Sequence, residues 1–311
     1  MSSVATPAPV PRRGRRRRRT KLQRRQTRLA WLLLVPALAV VACVAIYPLG
    51  KTVYQSFTNQ EFLAGITPTK WVGIDNYRTL WHDTIFRDTV VLTIKFTAIT
   101  VSFEFLLGLI IALVVNSSFK GRGLMRAVML VPWAIPTVVA AQMWKWMLDD
   151  TYGVVNDFGV RTHILSHSRA WISDPATSLA SVCAVDIWKT TPFVALLLLA
   201  GLQVIPKDLY EAASVDGANK LQQFWRITLP LLRPAILVTL IFRTLDALRV
   251  FDVFQVFFGY RLGAQSMAVY DQSTTVNDGH VGYGASMSVA IFLIISLFVV
   301  IYVTFMRVTE E

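Results

Sequence analysis

Six long apolar runs, at about 29–49, 88–115, 127–148, 177–201, 235–258 and 286–306, alternate with polar segments along the chain. A helix needs roughly 20 apolar residues to cross the hydrocarbon core of a bilayer, so each run is a candidate membrane span. The pattern predicts an all-α integral membrane protein with six transmembrane helices. Leu29 to Leu49 follows a basic segment, as the core of a signal peptide does. It is long enough to span, and no small-x-small cleavage pattern follows it, so it reads as a retained first helix.

The polar interruption between the fourth and fifth runs is organised differently from the rest. Pro206 can open a helix, with Asp208 and Glu211 near its positive N-terminal end. Ala212 and Ala213 then give a face without bulky side chains, and Gly217 permits a sharp change of direction. A second amphipathic segment presents Leu221, Phe224, Trp225 and Thr228 at helical spacing, and Pro230 is expected to close it before the next span. Such an element suits docking against another protein; an amphipathic helix pair lying on the membrane surface is the other reading.

Composition agrees with the pattern: 54% apolar residues and a mean hydropathy of +0.49 over 311 residues are too apolar for a water-soluble domain. The net charge of +12 is a property of the tail, because 11 of the 31 Lys/Arg fall between Arg12 and Arg28 in a stretch without an acid. Residues 1–28 are therefore expected to be a disordered basic tail, and 29–311 the six-helix domain. The remaining chain carries 20 basic against 19 acidic side chains, which speaks against a nucleic-acid surface. With the N-terminus inside, cytoplasmic segments hold 19 Lys/Arg and external ones 7, so the positive-inside rule predicts both termini in the cytoplasm.

Several motifs carry no chemistry. Gly50-Lys51-Thr52 resembles the end of a phosphate-binding loop, but Ala45 stands where the pattern needs glycine, at the outer end of a membrane helix. With no other nucleotide motif, any ATP chemistry must belong to a partner. Cys43 and Cys183 each lie within an apolar run and build neither a disulfide framework nor a metal site. His82, His163, His167 and His280 fall in external loops without ligand spacing. The external segment 51–87 suits a short cap with interfacial aromatics, and 149–175 reads as a loop shaped by turn chemistry at Asp149 to Gly153 and Asn156.

Ionisable groups inside spans are costly and are functional candidates by default. Asp186, Lys189, Thr190 and Phe193 lie in the fourth span; Arg243, Asp246, Arg249 and Asp252 lie in the fifth. Asp186, Thr190 and Phe193 share one helical face, and Arg243 and Asp246 another, whereas Asp252 points away from Arg243. These residues either line a polar pathway or neutralise one another in the pairs Asp186–Lys189, Arg243–Asp246 and Arg249–Asp252. Lys95, Glu104 and Lys145 look isolated by comparison; Glu104 reads as a packing or partner contact.

Glu211-Ala212-Ala213, three residues, Gly217, nine residues, Ile227, one residue, Leu229-Pro230 resembles the EAA loop of importer-type ABC transporter permeases. Leu245 to Asp252 and Trp188-Lys189-Thr190-Thr191-Pro192-Phe193 are similar to carbohydrate-type permeases, especially the first permease of the maltose and trehalose group. The resemblance covers most of the chain from about residue 29. It implies a cell-membrane subunit with a cytoplasmic coupling helix between spans four and five, forming a sugar pathway with a second permease. It also implies two ATPase subunits that bind ATP and Mg, and an extracytoplasmic solute-binding protein; this chain would be no enzyme and carry no cofactor. Glu211, Ala212, Ala213, Asp216, Gly217, Ile227, Leu229 and Pro230 would form the ATPase-coupling surface. Asp186, Lys189, Thr190, Phe193, Arg243, Asp246 and Arg249 would be the substrate-pathway candidates. Gly259-Tyr260-Arg261-Leu262-Gly263 departs from the Gly-Gly-Pro of many relatives. Other solutes such as glycerol phosphates, or an ion-coupled secondary transporter, are the alternatives.

Overall fold

A computed structural model describes residues 21–62 and 68–310. The chain divides into two units, up to Lys51 and from Thr52 onward. In the first, helix α1 (Lys21–Val41) passes through a π-helical turn at Ala42–Ile46 into α2 (Tyr47–Gln55). The first twenty residues of the expected tail lie outside the described residues; the remainder is already helical from Lys21. Its apolar side chains from Leu29 to Leu49 are exposed on all sides, as expected of a helix that meets hydrocarbon rather than water.

The second unit continues with α3 (Asp75–His82), α4 (Thr84–Asn116), α5 (Arg122–Met129), α6 (Val131–Ala134), α7 (Thr137–Met147) and α8 (Val154–Arg161). Next come α9 (Pro175–Val204), α10 (Lys207–Val215), α11 (Lys220–Gln223) and α12 (Leu229–Leu248). The last are α13 (Asp252–Phe258), α14 (Met267–Gln272) and α15 (Val281–Glu310). Among the described residues there is no strand beyond an isolated bridge between Thr58 and Trp71.

Among the described residues, five helical stretches are long and apolar enough to cross a membrane. The expected third span is instead a broken one: Arg122–Ala134 and Thr137–Met147 meet at 86°. Ile135 is forced into extended backbone (ψ 132°) ahead of Pro136, which removes both the helical conformation and an amide donor at the break. The fifth span also departs from expectation. It stops at Leu248, passes Arg249 to Phe251 in irregular backbone and resumes as α13, so the even three-residue stepping from Arg243 to Asp252 does not apply. Ser266 Oγ donates to the freed Val250 carbonyl at 2.6 Å, and Lys145 Nζ donates to the Val256 carbonyl at 2.6 Å, which fixes both sides of this break.

The helix α9 is the centre of the bundle: 61% of its apolar window is buried, against 33% for α4 and 11% for the last span. Two glycines allow the closest approaches. A Cβ at Gly108 of α4 would stand 2.6 Å from Val194 Cγ1, and one at Gly201 of α9 would stand 2.4 Å from Ala235 Cβ of α12. Packing forms two apolar layers along these helices. One gathers Phe96, Val182, Val185, Ala247 and Phe254; the other gathers Ala112, Val115, Val194, Leu198, Leu202 and Leu232.

The far side of the bundle from α10 is capped by hydrogen bonds. Asn76 Nδ2 donates to the carbonyls of Ser56 at 2.8 Å and Thr58 at 2.9 Å, and Phe57 stacks on Trp71 with centroids 5.2 Å apart. The expected loop 149–175 contains the short helix α8 beside its turn: Asp149 Oδ1 accepts from the Thr151 amide at 2.8 Å. Leu165 seals against Gly159 of α8, where a Cβ would stand 2.5 Å from Leu165 Cδ1, so this glycine supports local packing.

Candidate functional site

Between the two apolar layers lies a layer of charge. Glu104, entirely buried on α4, faces Arg243 of α12 and Asp186 of α9, whose side chains are only 3% and 9% exposed. Arg243 Nε donates to Glu104 Oε2, its Nη2 donates to Glu104 Oε1 at 3.0 Å and also to Asp186 Oδ2, and its Nη1 donates to Asp246 Oδ2 at 2.9 Å. Thr190 Oγ1 completes the set, 2.5 Å from Glu104 Oε1 and 2.6 Å from the Asp186 carbonyl, with its one proton to give to either. Each nitrogen of the guanidinium head thus finds a carboxylate, through four of its five N–H groups, which is what makes a charge in this layer tolerable.

The arrangement settles which candidates meet. Arg243 and Asp246 pair as their helical spacing predicts, and Asp186 and Thr190 join them from α9. The alternative pairings Asp186–Lys189 and Arg249–Asp252 are not formed among the described residues; Asp186 gives its carboxylate to Arg243 instead. Glu104, isolated in the sequence, is the anchor of the group. Apart from Asp88 at its edge, Glu104 is the one carboxylate of the apolar run 88–115, and that is its own signal, because an unpaired charge there would be prohibitively costly.

One side of this group opens into a cavity of about 320 Å³. Asp186, Lys189, Thr190, Arg243, Asp246 and Arg249 all line it, as does Asp252 from the far side of the helix break. Phe193 does not line it; its ring stacks on Trp133 at 5.7 Å, and Trp133 does. Trp133 and Thr137, on either side of the break in the third span, reach the cavity from its two helices, and Arg249 to Phe251 bring the irregular backbone of the fifth span to the lining. In a membrane that is where irregular backbone is tolerated. With Arg243 engaged by three carboxylates, the side chains freest to meet a solute are Asp246, whose side chain is 71% exposed, together with Lys189, Arg249, Asp252 and Trp133.

A second candidate surface is the segment from Pro206 to Pro230. Glu211, Ala212, Asp216 and Gly217 are exposed, with Val215 88% exposed at the tip. Gly217 adopts φ +82°, and the reversal is closed by the Ala218 amide donating to the Ala213 carbonyl at 2.8 Å. Asn219 and Gln222 then form a reciprocal capping box that starts α11. Gln223, buried beneath, donates to Ser214 Oγ at 2.9 Å and to the Ala218 carbonyl at 3.1 Å. Pro230 does not close the element as expected. A π-helical turn at Phe224–Thr228, which holds Ile227, runs straight into α12, and Pro230 is the second residue of α12, directly after that turn. Tyr210 OH lies 3.0 Å from Thr228 Oγ1 and packs on the Leu202–Leu232 layer, so α10 is tied to the helices that carry the charge cluster.

The geometry can be set beside known proteins. The chain is 38% identical to the sulfoquinovosyl glycerol transport system permease of Agrobacterium fabrum, covering 91% of each chain. It is 39% identical to the trehalose/maltose transport system permease of Thermococcus litoralis, covering 91% of this chain and 95% of that one. A crystal structure of a bacterial ABC transporter involved in import of the acidic polysaccharide alginate shares the fold, with a TM-score of 0.80 at 23% identity over 94% of this chain and 100% of that one. Residues 104–310, which hold Glu104, the cavity and the exposed loop alike, match the model of the binding-protein-dependent transport system inner membrane component, and this chain belongs to that family of ABC transporter permeases.

Proposed function

We propose that the chain is one of two permease subunits of an ATP-driven importer for a sugar, in the di- or oligosaccharide class that includes trehalose and maltose. Both termini lie in the cytoplasm, and 206–230 couples the chain to a separate ATPase that binds ATP and Mg. Solute arrives on an extracytoplasmic binding protein. The observation that carries this reading is the mechanical continuity between the exposed tip at Glu211 to Gly217 and the cavity-lining helices α9 and α12, through Tyr210, Thr228 and Leu232. A push on the tip is thereby transmitted to the helices bearing Asp186 and Arg243 rather than lost in a flexible loop.

In this mechanism Glu211 makes polar contact with the ATPase, Ala212 and Ala213 admit close approach, and Gly217 sets the bend. In the pathway Asp246 accepts hydroxyl hydrogens, Lys189 and Arg249 donate to sugar oxygens, and Trp133, backed by Phe193, offers a ring face. A second reading has a specific observation behind it: Lys189 and Arg249 also suit an anionic solute such as a glycerol phosphate or an acidic sugar. The names of two similar transporters, sulfoquinovosyl glycerol and alginate, keep that class open.

The test is uptake into proteoliposomes holding both permeases, the ATPase and the binding protein. Glu211→Lys should abolish ATP-dependent uptake with membrane insertion retained, and Asp246→Ala should impair uptake while the ATPase remains bound. Undiminished uptake by Glu211→Lys would remove the coupling role. Uptake that needs an ion gradient and no ATP would replace the mechanism by secondary transport.

A further inference from the structure

At the same end of the bundle as α10, a second pocket of about 370 Å³ lies between the end of α4, the start of α5 and the α9–α10 connection. Its lining holds three cations, Arg122, Arg126 and Lys207, and no carboxylate. None of the three forms an ion pair among the described residues, whereas Arg78 and Arg161 pair with neighbouring acids even at the surface. Arg126 is the telling member. Its Nε–H is withdrawn from the surface without an acceptor, and its Nη2 reaches only the Val115 carbonyl at a long 3.4 Å. Asn116, Ser118 and Gln203 add amides and a hydroxyl, so the lining is rich in donors.

We propose that this pocket binds an anionic phosphate group. A tetrahedral phosphate has enough oxygens to take a forked guanidinium, a second guanidinium and an ammonium at once, and carries the negative charge that three unpaired cations call for. The pocket sits where the span ending at Asn116 hands over to the one beginning at Arg122, and the ends of membrane spans meet the lipid headgroups. Exposed Phe119, Leu124 and Val128 close by mark an apolar boundary at the same level. It shares no lining residue with the α9–α12 cavity, so the inference does not depend on which solute is carried. A bound phosphate would bridge Arg122 and Arg126 of α5 to Lys207 of α10, and so brace the helix that presents Glu211.

The experiment measures binding to the complete transporter in neutral detergent. One arm adds phosphatidylglycerol or phosphatidylcholine and counts retained lipid by native mass spectrometry; the other titrates inorganic phosphate and follows heat. Phosphatidylglycerol should be retained in preference to phosphatidylcholine, or inorganic phosphate should bind. Arg126→Gln and Lys207→Gln should each weaken that binding about fivefold, the effect of removing one charge near a headgroup. Lys207 is exposed, so its variant folds even if that of Arg126 does not. A positive lipid arm alone assigns the site to a headgroup, and a positive phosphate arm alone to a free phosphate. The proposal is overturned if neither probe binds, if Lys207→Gln weakens binding no more than the control Arg78→Gln, or if cross-linking places an ATPase carboxylate in the pocket.

Discussion

Arg243 of α12 and Glu104 of α4 are 139 residues apart in sequence and joined by two hydrogen bonds, one of them Nη2 to Oε1 at 3.0 Å, with both side chains shut away from the surface. A pair of this kind contributes less by its attraction than by what its loss leaves behind. Glu104→Leu strands Arg243 with Asp186 and the exposed Asp246 as its remaining partners, and breaking a buried pair in this way costs about 3–5 kcal/mol. Glu104→Gln keeps an acceptor and should cost less. Thermal unfolding of the purified subunit in detergent should show Glu104→Leu as the least stable and the double variant Glu104→Leu/Arg243→Leu partly recovered. A double variant as damaged as the sum of the singles would mean the two side chains do not act as a unit.

How far the sequence reveals this site depends on the range of each interaction. Arg243 and Asp246 are three residues apart on one helix, and helical periodicity alone places them together. The faces of α9 and α12 are equally legible, since each rests on local spacing. Glu104 was not, because its partners come from other helices and spacing says nothing about which helices touch. Trp133 and Thr137 were missed for a related reason. Hydropathy counts 127–148 as one apolar run and is blind to a reversal at Ile135–Pro136, although the proline itself signals one. The same blindness hid the break at Arg249 to Phe251, where no proline or glycine marks the change and tertiary bonds from Ser266 and Lys145 hold the backbone. The exposed loop was legible because its identities stand at fixed local spacing.

The close approach of α4 to α9 gives a packing prediction. A Cβ added to Gly108 meets Val194 Cγ1 at 2.6 Å and the Ala195 amide nitrogen at 3.1 Å, and backbone cannot rotate away as a side chain can. Gly108→Val should cost about 1–3 kcal/mol by overpacking. Gly123→Val, with open space around an added Cβ, should cost far less. Melting temperatures of the two variants in one detergent check this; equal losses would place the cause in helix propensity rather than contact.

The end of the bundle opposite α10 carries a pH dependence with a definite sign. Burial pushes the Asp271 carboxyl up to about 6 from the usual 3.8, although Ser288 Oγ donates to it at 2.6 Å and Thr275 Oγ1 at 3.3 Å. Because the folded state holds its proton more tightly than the unfolded chain, the contribution is fully present below the unfolded pKa and is lost as pH rises through about 6. Asp83 acts oppositely: burial works against its charge, but the Phe86 amide and the Tyr283 and Tyr270 hydroxyls outweigh this and hold it low, so its contribution is lost on acidification. The protection of the α14 amides, corrected for the intrinsic pH dependence of amide exchange, should therefore fall between about pH 4 and pH 6, by an amount on the order of 3 kcal/mol, and level off above. Asp271→Asn should flatten that profile. A profile unchanged by the substitution would assign it to another group.

Gly217 separates conformation from contact in the exposed loop. Nothing lies within 4 Å of a Cβ built there, so a larger residue meets no obstacle, yet φ is +82°, a left-handed conformation that costs an ordinary L-residue about 1–2 kcal/mol. Gly217→Ala should loosen the Ala213–Ala218 closure and with it the placement of Val215 and Asp216. Asparagine enters the left-handed region more readily, so Gly217→Asn should keep the bend. Gly217→Pro cannot adopt the angle at all. ATP-driven uptake in proteoliposomes should therefore fall in the order Gly, Asn, Ala, Pro, with membrane insertion unchanged throughout. If Asn and Ala impair uptake equally, the partner surface requires the absence of a side chain at 217, and the bend is not the feature under demand.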